Sequence, residues 1–170
     1  RGILELIRAT KILYDDGYPV ELRLIGKLVD KKKITSFVKA NEMSDYCKIE
    51  PPIPYQEVPA KIAEADLPVV PLSDFLGLRV SSPLKLMEYL AMGKSVVLTD
   101  IEAHRDVAGD RPFAFYAKSE RASHLVRAIR SAYEKRNDLG EYGKMAHRHA
   151  MEYYTWQEQA AKLDRFLESL

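Results

Sequence analysis

The sequence predicts an α/β fold in which helices cover both faces of a parallel β-sheet. Apolar runs of about four to six residues alternate along the chain with amphipathic segments of about ten to fifteen residues, as in repeated β-α-β units. Glycine and proline punctuate many of the junctions between these segments. Hydrophobic residues make up 46% and charged residues 30% of the 170-residue chain, a balance typical of a globular protein.

The first part of the chain alternates helix and strand. Apolar residues every three or four positions predict helices over residues 2–16 and 31–41. The apolar run at residues 20–25 is a predicted strand closed by Gly26, and residues 46–49 form the next predicted strand. Because helical segments connect them, the strands are expected to run parallel.

A proline-rich loop at residues 50–54 leads into the middle of the chain, since prolines exclude both a helix interior and a β-ladder. Residues 55–65 are predicted to form a helix. The apolar run at residues 67–72 contains a proline, which cannot donate to a ladder, so pairing is expected from Val69 onward. Residues 74–82 contain a glycine and are predicted to form a loop.

The second part opens with a loop, a helix and a buried strand in close succession. Ser82 is predicted to cap a helix whose first residue is Pro83, and Gly93 ends that helix before an apolar strand at residues 95–98. The remaining predicted elements are a helix over residues 101–108, a strand over 113–116, a helix over 120–135 capped by Ser119, and helices over 139–153 and 155–170.

Composition excludes several classes of function. Lysine and arginine number 26 against 25 acidic residues, so the net charge of +1 argues against a nucleic-acid partner bound through bulk charge. The three lysines at residues 31–33 are interpreted as a solvated helix face. One cysteine, Cys47, and four scattered histidines offer neither an internal disulfide nor a metal cluster. We expect a cytoplasmic protein, and the inner membrane face stays open as its location.

The start of the helix at Pro83 is the clearest candidate binding site. Lys85 lies in the first helical turn, where a cation opposes the helix dipole. A bound phosphate would remove this conflict, because N–H groups at a helix start are free to bind it. Glu88 follows on the same face and could accept hydrogen bonds from sugar or ribose hydroxyls. The alternative is a surface Lys85–Glu88 ion pair on a helix that only packs.

Other candidates are weaker. His104 follows a strand at the expected ligand edge, so contact with a ligand and a packing role are both open. Three further histidines are expected at the surface of late helices, namely His124, His147 and His149. Three apolar residues of the last helix are expected to dock it against a core, namely Trp156, Leu163 and Phe166.

The segment SPLKLMEYLAMGKSVVLTD, residues 82–100, resembles the donor-binding signature of family-four glycosyltransferases of the GT-B fold. RGILELIRATKIL, VELRLIG, AEADLPVVPLSD and TDIEAHRDVAGDRPFAFYA resemble other parts of the same family, and so does the terminal Tyr154-Thr155-Trp156. The resemblance implies that residues 1–170 form one domain, the C-terminal Rossmann-like half of a GT-B fold, which binds a nucleotide-diphosphate sugar.

The resemblance also implies roles for individual residues. Glu88 corresponds to the second glutamate of the family's E-x7-E pair, which contacts the ribose, and it is expected to act in catalysis together with Lys85. Arg1 corresponds to a basic residue that contacts the phosphates, and Ile53 lies in the loop where the base rests. The expected contacts to the diphosphate and sugar come from the loop and helix start, namely Ser81, Ser82, Pro83, Leu84 and Lys85.

The chain departs from the family pattern at two places. Val80 stands where the first glutamate of the pair is expected, and valine cannot bind sugar hydroxyls. The family's first strand has no counterpart in the sequence. In the strand order 3-2-1-4-5-6 that strand is central, so open strand edges are expected near the middle of the sheet. We therefore expect the parent protein to carry this strand and an N-terminal acceptor-binding domain upstream, unless something else fills the gap.

By resemblance, the function is retaining transfer of a sugar from a UDP- or GDP-linked donor to an acceptor such as a glycan or lipid-linked glycan. No cofactor and no obligatory metal are expected. The isolated chain is expected to turn over little, and peripheral membrane association through the missing domain stays open. The alternatives are a sugar-nucleotide epimerase of the same architecture and a catalytically degenerate domain that binds only a nucleotide or a partner protein.

Overall fold

The computed structural model of the protein describes residues 2–79 and 81–169. The strands in these residues are β1 (Leu22–Ile25), β2 (Cys47–Glu50), β3 (Val69–Val70), β4 (Val96–Thr99) and β5 (Ala114–Ala117). The α-helices are α1 (Ile3–Asp15), α2 (Lys31–Ala40), α3 (Val58–Glu64), α4 (Leu76–Arg79), α5 (Leu84–Ala91), α6 (Glu102–Ala108), α7 (Ala122–Glu134), α8 (Leu139–Tyr153) and α9 (Trp156–Glu168), and a 3-10 turn at Tyr55–Glu57 precedes α3.

All of the strand pairs are parallel, as the alternation of helix and strand predicted. β1 pairs with β2, and β3, β4 and β5 form a second group in that order. Within residues 2–79 and 81–169, no ladder joins β1 to β3, so the sheet is divided where open edges were expected.

Helices cover both faces of the second strand group, because successive residues of β4 point to opposite sides. Val97 packs with residues of α1 and α7. Val96 and Leu98 pack on the other side with Leu86 and Leu90 of α5 and with residues of α6 and α8. This arrangement confirms the predicted α/β fold class with helices on both faces.

Helix α1 connects the two strand groups. Its residues Leu6, Ala9 and Leu13 belong to the core around β4 and α7. Ile7, from the same helix, packs with Leu24 of β1 and with residues of α2 and β2. The apolar residues of α1 therefore belong to two cores, one beside each of the two strand groups.

The structure corrects several expectations. The loop predicted at residues 74–82 contains the short helix α4. Pairing begins at Val69 as predicted, but it ends at Val70 instead of continuing to residue 72, since the following Pro71 cannot donate to the ladder. His149 is buried rather than at the surface, and its Nε2 lies 2.7 Å from the Val107 carbonyl oxygen.

Helix α9 also differs from its prediction. None of its residues is buried, and Trp156 is 85% exposed, so the expected docking core around Trp156 is wrong. The three lysines at residues 31–33 are exposed as predicted. No helix in the described part of the chain is long and apolar enough to span a membrane.

Candidate functional site

The candidate site lies at the start of α5, which follows the end of β3 and leads into β4. The carboxyl ends of parallel strands form the edge at which α/β proteins bind ligands. The predicted cap is wrong by one residue, because Pro83 is the N-cap and α5 begins at Leu84. Within the described part of the chain, no side chain caps this helix. The Ser82 carbonyl oxygen instead accepts the Leu84 N–H at 2.9 Å.

One backbone N–H group at this helix start has no acceptor among the described residues. The Pro83 carbonyl oxygen accepts the N–H groups of Leu86 and Met87, at 2.9 and 3.2 Å. Among the residues that the structure describes, the Lys85 N–H has no acceptor. A phosphate oxygen is a suitable partner for such a donor at a helix start.

Lys85 and Glu88 are the two charged side chains predicted to bind the ligand at the start of α5. Lys85 is exposed and Glu88 is half-buried. Neither side chain forms an ion pair or hydrogen bond with any residue in the described ranges, so the alternative of a Lys85–Glu88 surface pair is wrong. The Glu88 charge instead acts on its neighbour, since burial and then Glu88 raise the pKa of Tyr89. A half-buried carboxylate without a partner is available to a ligand.

The other predicted residues of this segment vary in accessibility. Ser82 is exposed, Ser81 is half-buried and Pro83 is buried. Leu84 is 60% exposed and therefore open to a ligand. Arg1 and Val80 lie outside the described residues. Ile53 is half-buried and follows β2, in the other strand group.

Gly2 positions α1 against the same edge of the sheet. It is the N-cap of α1 with φ at 65°, a conformation that favours glycine. A Cβ atom at Gly2 would lie 1.9 Å from the carbonyl oxygen of Pro71, the residue after β3. The start of α1 therefore touches the segment that leads from β3 toward α5, and only glycine permits this approach.

Exposed apolar side chains also lie in the chain before α5, and the sequence did not predict them. Phe75 and Leu76 are exposed, and Leu76 reaches 77% exposure at the beginning of α4. Together with Leu84, the first residue of α5, they are three large exposed apolar side chains between the end of β3 and the first turn of α5. No local signal predicted this exposure, because burial depends on what packs over a residue.

The residues after β4 have structural partners. His104 is fully buried, its Nδ1–H donates to the Thr99 carbonyl oxygen at 2.8 Å, and burial lowers its pKa. The other ring nitrogen, Nε2, is buried without a hydrogen-bond partner among the described residues, so packing and ligand contact both stay open for His104. Asp100 accepts two hydrogen bonds from Arg105, at 2.6 and 2.9 Å, and this guanidinium lowers the Asp100 pKa. In residues 2–79 and 81–169, no group of three His, Cys, Asp or Glu is arranged to hold a metal ion.

Comparison with known proteins gives a family match over most of the chain. Residues 1–149 match the model of the family described as glycosyl transferases group 1. No curated protein sequence matches the chain.

Solved structures share the fold over the whole chain at low identity. Sucrose-phosphate synthase from Thermosynechococcus elongatus is 17% identical with a TM-score of 0.76, and 99% of this chain covers 44% of that one. HepE of Anabaena in complex with UDP-glucose is 16% identical with a TM-score of 0.78, with coverage of 99% and 45%. A glycosyltransferase from Rickettsia africae is 11% identical with a TM-score of 0.82, with coverage of 99% and 44%. The chain thus spans less than half the length of these proteins.

Proposed function

The chain belongs to the group 1 glycosyl transferases, and on that premise we propose that it forms the part of such an enzyme that binds the nucleotide-sugar donor. The observation that carries the proposal is a pair of charges on α5, the exposed Lys85 and the half-buried Glu88, which have no partner among the described residues. A cation suits a diphosphate, and a carboxylate suits the vicinal hydroxyls of a ribose. The binding of UDP-glucose by the structurally similar HepE supports the same class of ligand.

In this proposal the diphosphate lies at the start of α5. The Lys85 ammonium group and the free Lys85 N–H hold phosphate oxygens, and the helix dipole favours their negative charge. Ser81, Ser82 and Leu84 border the diphosphate and the sugar, with the buried Pro83 fixing the chain at that point. Arg1 is assigned to the phosphates, and Ile53 to the nucleobase.

Catalysis in this proposal is electrostatic. Breaking the bond between sugar and diphosphate places additional negative charge on the leaving phosphate. Lys85 stabilises that charge in a fixed position, and Glu88 orients the nucleotide through its ribose. The proposed reaction retains the configuration of the sugar and needs no obligatory metal. The proposed donor is UDP- or GDP-linked, and the proposed acceptor is a glycan or lipid-linked glycan bound mainly by a separate N-terminal domain.

Calorimetric titration tests donor binding. Wild type is titrated with UDP-, GDP- and ADP-glucose, and then with the nucleoside of the preferred donor alone. Glu88→Ala is expected to weaken both the nucleotide sugar and the nucleoside by about tenfold, because it removes hydrogen bonds to the ribose that both ligands share. Glu168→Ala, at the far end of α9, removes an exposed glutamate elsewhere in the chain and serves as the control.

Each outcome distinguishes among the functions considered. Equal affinities of wild type and Glu88→Ala would contradict the ribose assignment. Absence of binding to all three sugar nucleotides would contradict the donor-binding function and favour a domain that binds a partner protein. Conversion of the sugar nucleotide into its epimer without an acceptor, detected by NMR, would instead support the epimerase alternative.

A further inference from the structure

A second group of cations lies at the carboxyl end of β5, away from α5. Lys118 follows β5 directly, and Arg121, His124 and Arg127 lie at the start of α7. These four residues are called the α7 basic patch below. Lys118, Arg121 and Arg127 are exposed, and His124 is half-buried among them.

The cations of the α7 basic patch are not neutralised by protein carboxylates. In the described ranges, neither Lys118, Arg121 nor Arg127 forms an ion pair, whereas Arg8, Arg23, Arg105 and Arg130 each do. The nearby Glu5 carboxylate is already bound to Arg8 and to the Ala122 N–H. Glu120 is the only acid within residues 118–127, so the segment holds three fixed positive charges against one negative charge.

Hydrogen bonds hold the patch in place. Ser119 Oγ lies 2.8 Å from His124 Nδ1 and accepts the Arg121 N–H at 3.4 Å. With the Ser119 hydroxyl donating to Nδ1, neutral His124 carries its proton on Nε2. This proton adds a donor beside the three cations. The Glu5–Ala122 hydrogen bond fixes the beginning of α7 to α1 and so fixes the backbone that carries the patch.

The position of the patch relates it to the proposed donor site. β5 and β3 lie on opposite sides of β4, and adjacent strands are about 4.8 Å apart, so the ends of β3 and β5 are separated by roughly 10 Å. Both ends lie at the carboxyl edge of the same parallel sheet. The patch and the proposed donor site thus follow different strands of one sheet, so an anion at the α7 basic patch is treated as a second group.

We propose that the α7 basic patch binds a phosphate group of the acceptor substrate. This inference rests on the proposed donor function, because an acceptor is needed only in a transferase. Arginine guanidinium groups bind phosphate through paired N–H donors, and two of them flank His124. The shared chemistry is a phosphate monoester or diester, whether on a soluble sugar phosphate or on a lipid headgroup.

The charge of His124 provides a direct readout. Burial, followed by Arg127, Lys118 and Arg121, lowers the His124 pKa. On α1, the charges that face this region are those of Glu5 and Arg8, which pair with each other. A bound phosphate offsets the three cations, so it is expected to raise the His124 pKa by about one unit, within the usual effect of a neighbouring charge. NMR titration of the imidazole against pH, with and without inorganic phosphate in about 0.1 M salt, where the Debye length is about 10 Å, measures this change.

A matched pair of variants tests the site. Arg121→Gln with Arg127→Gln removes two positive charges from the patch and is expected to weaken phosphate at least about tenfold. Lys31→Gln with Lys32→Gln removes the same charge from α2 and is expected to leave phosphate binding within about twofold of wild type, since screening limits distant charges. Loss of affinity in both double variants, or no saturable change at His124, would overturn the proposal.

Further arms identify the source of the phosphate and separate this inference from the proposed function. Glucose 1-phosphate and vesicles of phosphatidylglycerol with phosphatidylcholine distinguish a soluble ligand from a lipid headgroup. The Arg121→Gln, Arg127→Gln variant is expected to keep its affinity for the nucleotide sugar. Competition between phosphate at His124 and the nucleotide sugar would assign the patch to the donor and overturn the acceptor proposal. Phosphate binding at His124 without any nucleotide-sugar binding would contradict the proposed donor function alone.

Discussion

The Glu5 carboxylate of α1 accepts the backbone N–H of Ala122 at 2.9 Å and thereby caps the start of α7. No local side chain performs this task, because Arg121 is the N-cap and forms no side-chain cap bond. Ser119, the predicted cap, bonds to His124 and to the N–H of Arg121, the residue before α7. A helix that was expected to be capped by its own sequence is thus capped from another helix, and the contact ties together two of the main helices of one core.

Glu5→Ala is expected to lower the free energy of unfolding by about 1 kcal/mol at pH 7, the usual effect of losing a helix cap. The Ala122 hydrogen bond is the main cause that lowers the Glu5 pKa. The contribution is therefore complete above the ordinary glutamate range, roughly pH 4 to 5, and is lost as the pH falls through the lowered pKa. Urea denaturation at pH 7 and in acid measures the difference. Glu168→Ala is the control, and a deficit that persists unchanged in acid would contradict the role of the charge.

Gly143→Ala is expected to destabilise the protein by about 1–3 kcal/mol, the typical cost of overpacking. A Cβ atom at Gly143 in α8 would lie 2.1 Å from the Gly93 carbonyl oxygen, at the turn after α5. Gly140→Ala, in the same helix, meets nothing within 4 Å, so it is expected to stabilise the helix by roughly 0.5–1 kcal/mol. Thermal and urea unfolding of both variants measure the contrast. Equal effects of the two substitutions would show that the close approach has no energetic consequence.

Lys85→Gln is expected to separate phosphate binding from nucleoside binding. It should weaken the preferred nucleoside diphosphate by about tenfold, since a charge-assisted contact is lost, and leave the nucleoside alone unchanged. Glu88→Ala should weaken both ligands, so the two variants have distinct signatures. Lys135→Gln removes the same charge from the residue after the C-terminal end of α7 and serves as the control. A parallel loss of nucleoside affinity in Lys85→Gln would contradict its assignment to the phosphates.

Substitutions in α9 are expected to have little effect on stability. Leu163 and Phe166 are 57% and 59% exposed, so Leu163→Gln and Phe166→Gln should each change the free energy of unfolding by less than about 0.5 kcal/mol. Leu90→Ala is the contrasting variant, because Leu90 is fully buried in the core beside β4. Its expected cost is about 2–5 kcal/mol. Denaturant titration compares the three, and a loss above about 1 kcal/mol at Leu163 would contradict the exposed position of α9.

Much of the fold could be predicted because its signals are local. The periodicity of apolar residues predicted α1 and α2 to within one or two residues, and the short apolar run before Asp100 predicted β4. Breaks at Gly93 and at the proline-rich loop separated the elements in the right places. Such patterns depend on neighbours three or four positions apart, which the sequence displays directly.

The candidate site was predicted only in part. The location of Lys85 and Glu88 on α5 followed from helical spacing and from resemblance to a family. Their lack of a mutual ion pair did not, because helical spacing permits such a pair without requiring it. The exposed Phe75 and Leu76 were also missed, since burial depends on what packs over a residue rather than on the residue itself.

By itself the sequence determined the fold class, the order of the elements and the segment that carries the candidate site, since these follow from local periodicity and turn residues. Tertiary structure alone decided that Glu5 caps α7, that His149 is buried against Val107, and that the apolar face of α9 stays exposed. Each of these depends on contacts, or on their absence, between residues far apart in the chain. A helix pattern shows which face is apolar, and only packing determines whether another element covers it.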